Sequence, residues 1–166
     1  LSSLTVEADA SKAVRLQRAG GLDLVTHDLD EALAAIRQSK TTVAVGLVGN
    51  AADLYPEIAR RGLVPDIVTD QTSAHDIING YLPVGWTVAQ WQAAQKDPAQ
   101  HAALKQAAGE SCATHIRAML AFHAMGIPTV DYGNNLRQVA KDFGVAHAFD
   151  FPGFVPAYVR PLFCKG

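Results

Sequence analysis

The chain has 166 residues, 49% of them hydrophobic and 18% charged, which suits one packed domain and sets it apart from disordered sequences. Fourteen Lys and Arg against 16 Asp and Glu leave a net charge of -2 with no basic run, so a nucleic-acid partner is not expected. No apolar run approaches the ~18 residues of a membrane-spanning helix, no signal-peptide pattern follows Leu1, and two cysteines cannot build a disulfide framework; this composition fits a cytoplasmic protein without a membrane partner. Leu1 is not a start methionine, so residues 1–166 are expected to be one domain cut from something longer.

Leu4 to Val6 is a short strand candidate, followed by helical composition from Ala10 to Arg18 and a second strand candidate from Leu22 to Val25. Asp28 can cap the next helix, with Glu31 placed three residues on as in a capping box, and Leu29, Leu33 and Ile36 form its apolar stripe. Thr42 to Val48 is β-branched and apolar, like a strand buried on both faces. Ala51 to Arg61 predicts a helix stopped by Gly62, and Ile67 to Thr69 another buried strand. Asp70 to Pro83 is polar and turn-rich. Thr87 to Met125 is helical, broken near Asp97-Pro98, with Leu104, Ala108, Cys112, Ile116 and Leu120 on one face. Thr129 to Asp131 is a strand, Leu136 to Phe143 a helix closed by Gly144, and Val145 to Phe149 a further strand. Phe151 to Gly166, aromatic and proline-punctuated, resembles no regular element. Strands alternating with helices imply parallel βαβ units, hence an α/β, doubly wound, mainly parallel, Rossmann-like sheet.

Ligands of open parallel sheets bind beyond the carboxyl ends of the strands. Three such ends carry glycine or polar signals: GLVGNAA (Gly46 to Ala52), TDQTSAHD (Thr69 to Asp76) and DYGNN (Asp131 to Asn135). Small residues let a backbone approach a ligand, and free N–H groups at a helix start favour an anion. The G-x-G-x-x-G fingerprint is absent, as is a phosphate-binding lysine loop. Glu7, after the first strand, has the chemistry to accept ribose hydroxyls, or is simply a solvated glutamate.

VTDQTSAHD with NGYLPVGW, GLVGNAADLYPEIARRGLVPD, and DYGNNLRQVAKDFGVAHAFDFPGFVPAYVRPLFCKG together strongly resemble urocanase (urocanate hydratase). The likeness is nearly continuous from about Asp28 to Gly166 and looser before it. It implies a cytosolic enzyme of histidine breakdown that adds water to urocanate to give imidazolone propionate, with tightly bound NAD⁺ as an electrophile. It further implies a homodimer, and an NAD-binding domain inserted into a core that holds most of the urocanate contacts. In the family a glycine-rich loop comes just before the position of Leu1, and the reactive cysteine lies beyond Gly166. The resemblance therefore implies no catalytic residue within this chain and places Cys164 apart from the reactive cysteine.

Carried over by position, the resemblance implies cofactor contacts from Glu7, Asn50, Ala51, Gln71, Thr72, Ser73, Ala74, His75, Tyr81, Leu82 and Tyr132. Four of them also have an ordinary structural alternative: a helix cap for Asn50, a polar network for His75, packing for Leu82, a buried and satisfied hydroxyl for Tyr132. Lys12 stands where the family has an arginine, keeping the charge and losing the planar fork. Cys112 and His115 have a metal-compatible spacing, but no second pair accompanies them and Cys112 lies on the apolar stripe, so a packing role is expected. His27, His101, His123 and His147 show no partner pattern, Trp86 and Trp91 are expected to anchor the 87–125 segment, and Phe149, Phe151 and Phe154 to pack against the rest of a longer protein. A free-standing nucleotide-binding or regulatory module is the competing function. A hydrolase built on Cys164 and His147 lacks both an acid and an oxyanion loop.

Overall fold

The computed structural model describes residues 1–164, which fall into two compact units, Leu1–Leu54 and the chain from Tyr55 onward. Each is α/β, and every strand pairing between its named strands is parallel.

The first unit runs β1 (Ser3–Glu7), α1 (Ala10–Arg18), β2 (Leu24–Thr26), α2 (Leu29–Gln38) and β3 (Ala44–Val48), with β3 central in the order β1-β3-β2. The apolar run of β3 explains that place: Val45 and Leu47 are fully buried, along with Ala13 of α1 and Ala32 of α2. Asp9 and Asp28 cap α1 and α2 by accepting amides of their first turns. The box expected at Asp28 does not close. Glu31 turns back to Thr26 Oγ1 instead, and Thr26 Oγ1 accepts the Asp28 amide, fastening the end of β2 to the start of α2.

Helix α3 (Ala51–Arg60) begins in the first unit, and Gly62, at φ +66°, takes the left-handed turn past its end. The second unit continues with β4 (Val68–Asp70), α4 (Ile77–Gly80), α5 (Val88–Gln95), a 3₁₀ turn at Pro98–Gln100, α6 (His101–Ala124), β5 (Thr129–Asp131) and α7 (Leu136–Asp142). Strands β4 and β5 pair side by side, with Asp70 opposite Asp131 at their carboxyl ends. The core is built on α6: Leu104, Ala108, Cys112 and Ile116 of the expected stripe are fully buried, as are Met119, Leu136 and Phe151. The break in the long helical segment falls where expected, because the Asp97 side chain accepts the Ala99 amide and Pro98 opens a new turn.

Two expectations fail at the carboxyl side. Val145 to Phe149 is not a strand. Gly144 (φ +87°) closes α7, the Val145 amide donates to Ala140 O at 3.0 Å, and Ala148 and Asp150 donate to Val145 O and His147 O, so local turns consume the amides a strand would need. Beyond Phe151 the chain is helical where no element was expected: a π-helical turn at Val155–Val159 leads into α8 (Arg160–Phe163). Pro156 and Pro161 sit in the first turns of these elements, where a missing N–H costs nothing.

Candidate nucleotide-binding site

In the first unit, β1 ends on the half-buried Glu7, whose Oε1 accepts the Asp9 amide at 2.9 Å. The second oxygen has no hydrogen bond among the described residues. At the end of β3, Asn50 caps α3 by accepting the Ala52 amide at 2.9 Å, and Ala51 is the first helical residue. The glycines of GLVGNAA have a packing role. A Cβ at Gly46 would lie 2.6 Å from Leu22 Cδ1, and one at Gly49 would lie 2.7 Å from Leu54 Cδ1. Side chains of the protein itself already occupy the room these glycines leave. Lys12 is exposed on α1.

In the second unit the polar signals after β4 and β5 meet on Asp70. This carboxylate is buried; its Oδ1 accepts the Thr72 amide at 3.1 Å and the Thr72 hydroxyl at 2.6 Å, and its Oδ2 accepts Asn134 Nδ2. The Tyr132 amide donates to Asp70 O at 3.2 Å and the Ala74 amide to Asn134 O at 3.1 Å. The loops after the two strands are thus stitched to each other. Thr72 and the buried Ala74 hold the loop, whereas Gln71, Ser73 and His75 are exposed, and their side chains make no hydrogen bond among the described residues.

Asp131 is the counterpart of Asp70 on β5. It is 1% exposed and accepts Arg137 Nε at 2.7 Å, while Arg137 Nη1 donates to Phe151 O at 2.8 Å. The Arg137 guanidinium also lies over the rings of Phe149 and Phe151, at 4.8 and 5.5 Å. Phe151 is thereby committed to the core of this unit, and Phe149 keeps 47% of its surface exposed. Next in sequence, Tyr132 is 47% exposed and stacks on Phe154 at 4.5 Å with planes 11° apart.

Tyr81 is buried, with its hydroxyl 3.2 Å from His115 Nδ1; Leu82 beside it is half-buried. His115 also faces Asp70, its Nε2 standing 3.9 Å from Oδ1. Burial holds the imidazole below its ordinary pKa, outweighing the opposing pull of the Asp70 carboxylate. Burial, reinforced by Asp70, pushes the Tyr55 phenol and the Cys112 thiol up, so both stay protonated and Cys112 is no thiolate ligand or nucleophile. Among the described residues no group of three or more His, Cys, Asp or Glu could hold a metal ion, and no helix is long and apolar enough to cross a membrane.

The neutral His115 sets a pH dependence. An unfolded histidine takes up a proton as pH falls through about 6.5, whereas the folded one resists until lower pH, so its contribution to stability is complete above that value and is lost below it. Denaturant unfolding followed from pH 7 to 5.5 should show stability falling by up to about 1.4 kcal/mol per pH unit, and His115→Gln should flatten the curve. A flat wild-type profile would mean that the buried imidazole charges as readily as an exposed one.

Sequence reasoning assigns no individual role at this edge to Asp70, Asn134, His115 or Arg137. The strand-end segments TDQTSAHD and DYGNN held the signal for Asp70 and Asn134, but His115 and Arg137 reach it only through tertiary packing.

Parallel strands joined through helices, with polar loops at their carboxyl ends, define a Rossmann-like α/β domain. The family model described as the Urocanase Rossmann-like domain matches residues 1–158. The chain belongs to the urocanase family.

Proposed function

We propose that this chain is the NAD-binding part of a urocanate hydratase, a hydro-lyase of the cytoplasm that acts as a homodimer and converts urocanate to imidazolone propionate. The observation that carries this reading is the edge of β4, where Gln71, Ser73 and His75 point uncommitted amide, hydroxyl and imidazole groups outward while Asp70 and Asn134 hold the backbone beneath them. Such a donor set fits the ribose and phosphate oxygens of a dinucleotide. Glu7 keeps one carboxylate oxygen for ribose hydroxyls, and the Tyr132–Phe154 stack offers a flat surface of the kind a nicotinamide ring packs against. Asn50 and Ala51 of the first unit, and Thr72, Ala74, Tyr81 and Leu82 of the second, are proposed as further contacts, contributing mainly backbone and shape.

When bound, NAD⁺ supplies an electron-poor ring that serves as an electrophile. The chain's own residues bind and orient the cofactor. Urocanate, in this reading, is held largely by parts of a longer polypeptide. A free-standing nucleotide-binding module would have the same loop without that chemistry.

Calorimetric titration of the 166-residue chain with NAD⁺ should give saturable but weak binding, since no G-x-G-x-x-G loop is present in it to cradle the pyrophosphate. Gln71→Ala with Ser73→Ala should weaken binding roughly tenfold or more, as the loss of two hydrogen bonds worth about 1 kcal/mol each would. Equal affinity in the double variant would remove this loop from the cofactor site. Absence of saturable binding, both in this chain and in a longer parent polypeptide that contains it, would overturn the nucleotide reading.

A further inference from the structure

Helix α6 meets the segment from Asp70 to Val84 at three points, two of them hydrogen bonds. His115 Nδ1 lies 3.2 Å from the Tyr81 hydroxyl, and His115 Nε2 lies 3.9 Å from Asp70 Oδ1. One turn earlier, Ser111 Oγ accepts the Val84 amide at 2.9 Å while donating to Ala107 O at 2.8 Å. Tyr55 closes the other side of the imidazole with a ring set edge-on at 4.7 Å. His115 is fully buried, and its Nε2 has no hydrogen-bond partner in the structure. A buried polar nitrogen without a partner is costly, so packing alone gives no reason for a histidine here; leucine or methionine would fill the same space without that cost.

We propose that His115 is a positioning residue for the polar loop, bonding Tyr81 and turning its other ring nitrogen toward Asp70, so that the segment between these two residues rests against one rigid helix and Gln71, Ser73 and His75 are presented in a single arrangement. Asp70 and Tyr81 are the two ends of the segment that carries those exposed side chains, and His115 is the residue that faces both. The neutral imidazole bonds one end and faces the other. Accepting the Tyr81 hydroxyl at Nδ1 leaves its proton on Nε2, the nitrogen turned toward the Asp70 carboxylate. Asp70 in turn fixes Thr72 and Asn134, so the carboxylate that His115 faces also holds the backbone of the loop.

The cofactor arm of the test rests on the nucleotide reading above; the loop arm does not. In the 166-residue chain, His115→Leu removes both nitrogens and keeps most of the volume, Tyr81→Phe removes only the hydroxyl, and His115→Gln restores a donor and an acceptor. Amide hydrogen exchange of Thr72 and Ala74, whose N–H groups are bonded within the loop network, is compared with that of Ile116 and Met119 in α6. His115→Leu and Tyr81→Phe should speed exchange at Thr72 and Ala74 roughly tenfold while the α6 amides change less than twofold, and His115→Gln should recover most of the protection. NAD⁺ affinity should fall about tenfold in the same two variants and return in His115→Gln. Loop amides within twofold of wild type, or loop and helix amides shifting together, would overturn the proposal and leave His115 a packing residue. A wild-type chain that binds no NAD⁺ would count against the nucleotide reading, while the exchange data would still decide the role of His115.

Discussion

Replacing Arg137 with alanine should destabilise the second unit by about 3–5 kcal/mol, the range found when one member of a buried ion pair is removed. Asp131 is 1% exposed, and Arg137 is its charged partner, at 2.7 Å. Among the described residues the other donor to its side chain is the Gly133 amide at 3.2 Å, which is too little to hold a buried carboxylate by itself. The same substitution orphans Phe151 O and strips the cation from above Phe149 and Phe151. In a chain of this size the loss corresponds to a drop in Tm of roughly 6–20 °C. Arg137→Lys should fall between the two, since an ammonium keeps the charge but cannot bridge Asp131 and Phe151 O with one planar group. Thermal and urea unfolding of both variants provide the check. A loss under about 1 kcal/mol in Arg137→Ala would show that the pair is solvated and that Asp131 finds another partner.

Gly80→Ala should be the most disruptive single-methyl change near the candidate site. A Cβ at Gly80 would lie 1.6 Å from the carbonyl oxygen of Ser73 and 2.9 Å from its carbon. The obstacle is backbone, so no side-chain rotation relieves it. The end of α4 and the loop around Ser73 must move apart, at a cost of about 1–3 kcal/mol as for other overpacked sites. That movement also displaces Gln71, Ser73 and His75, so NAD⁺ affinity should fall roughly tenfold or more even where the chain stays folded. Differential scanning calorimetry gives the stability term and titration the affinity term. Unchanged affinity with a lowered Tm would detach the geometry of this loop from ligand binding.

The sequence was most legible where the signal is local. Asp28 caps α2 as its place in the sequence predicts, and the long helical segment breaks at Asp97-Pro98, because a short acceptor reaches amides two or three residues on whatever the rest of the chain does. The apolar face of α6 follows from its period, and Leu104, Ala108, Cys112 and Ile116 are all buried. Even so, the local rules misjudged Glu31, which had a better partner in Thr26 than in the amide at its own cap. They also misjudged Val145 to Phe149, whose strand-like composition lost to the turn bonds that follow Gly144.

By itself, then, the sequence determined the class of the fold, the family and the alternation of strands and helices as far as α7, because periodicity, caps and long motifs are all written in neighbouring residues. Only the tertiary structure decided which of the strand-end residues hold the edge and which face outward. Thr72 and Ser73 are alike in the sequence, yet one is bound to Asp70 and the other is exposed. Glycines that read as room for a ligand proved to be room for Leu22 and Leu54. The network of Asp70, Tyr81, His115 and Asn134 joins residues up to 64 positions apart. No spacing rule reaches that far: such contacts exist only once the strands have paired and α6 has packed beside the loop.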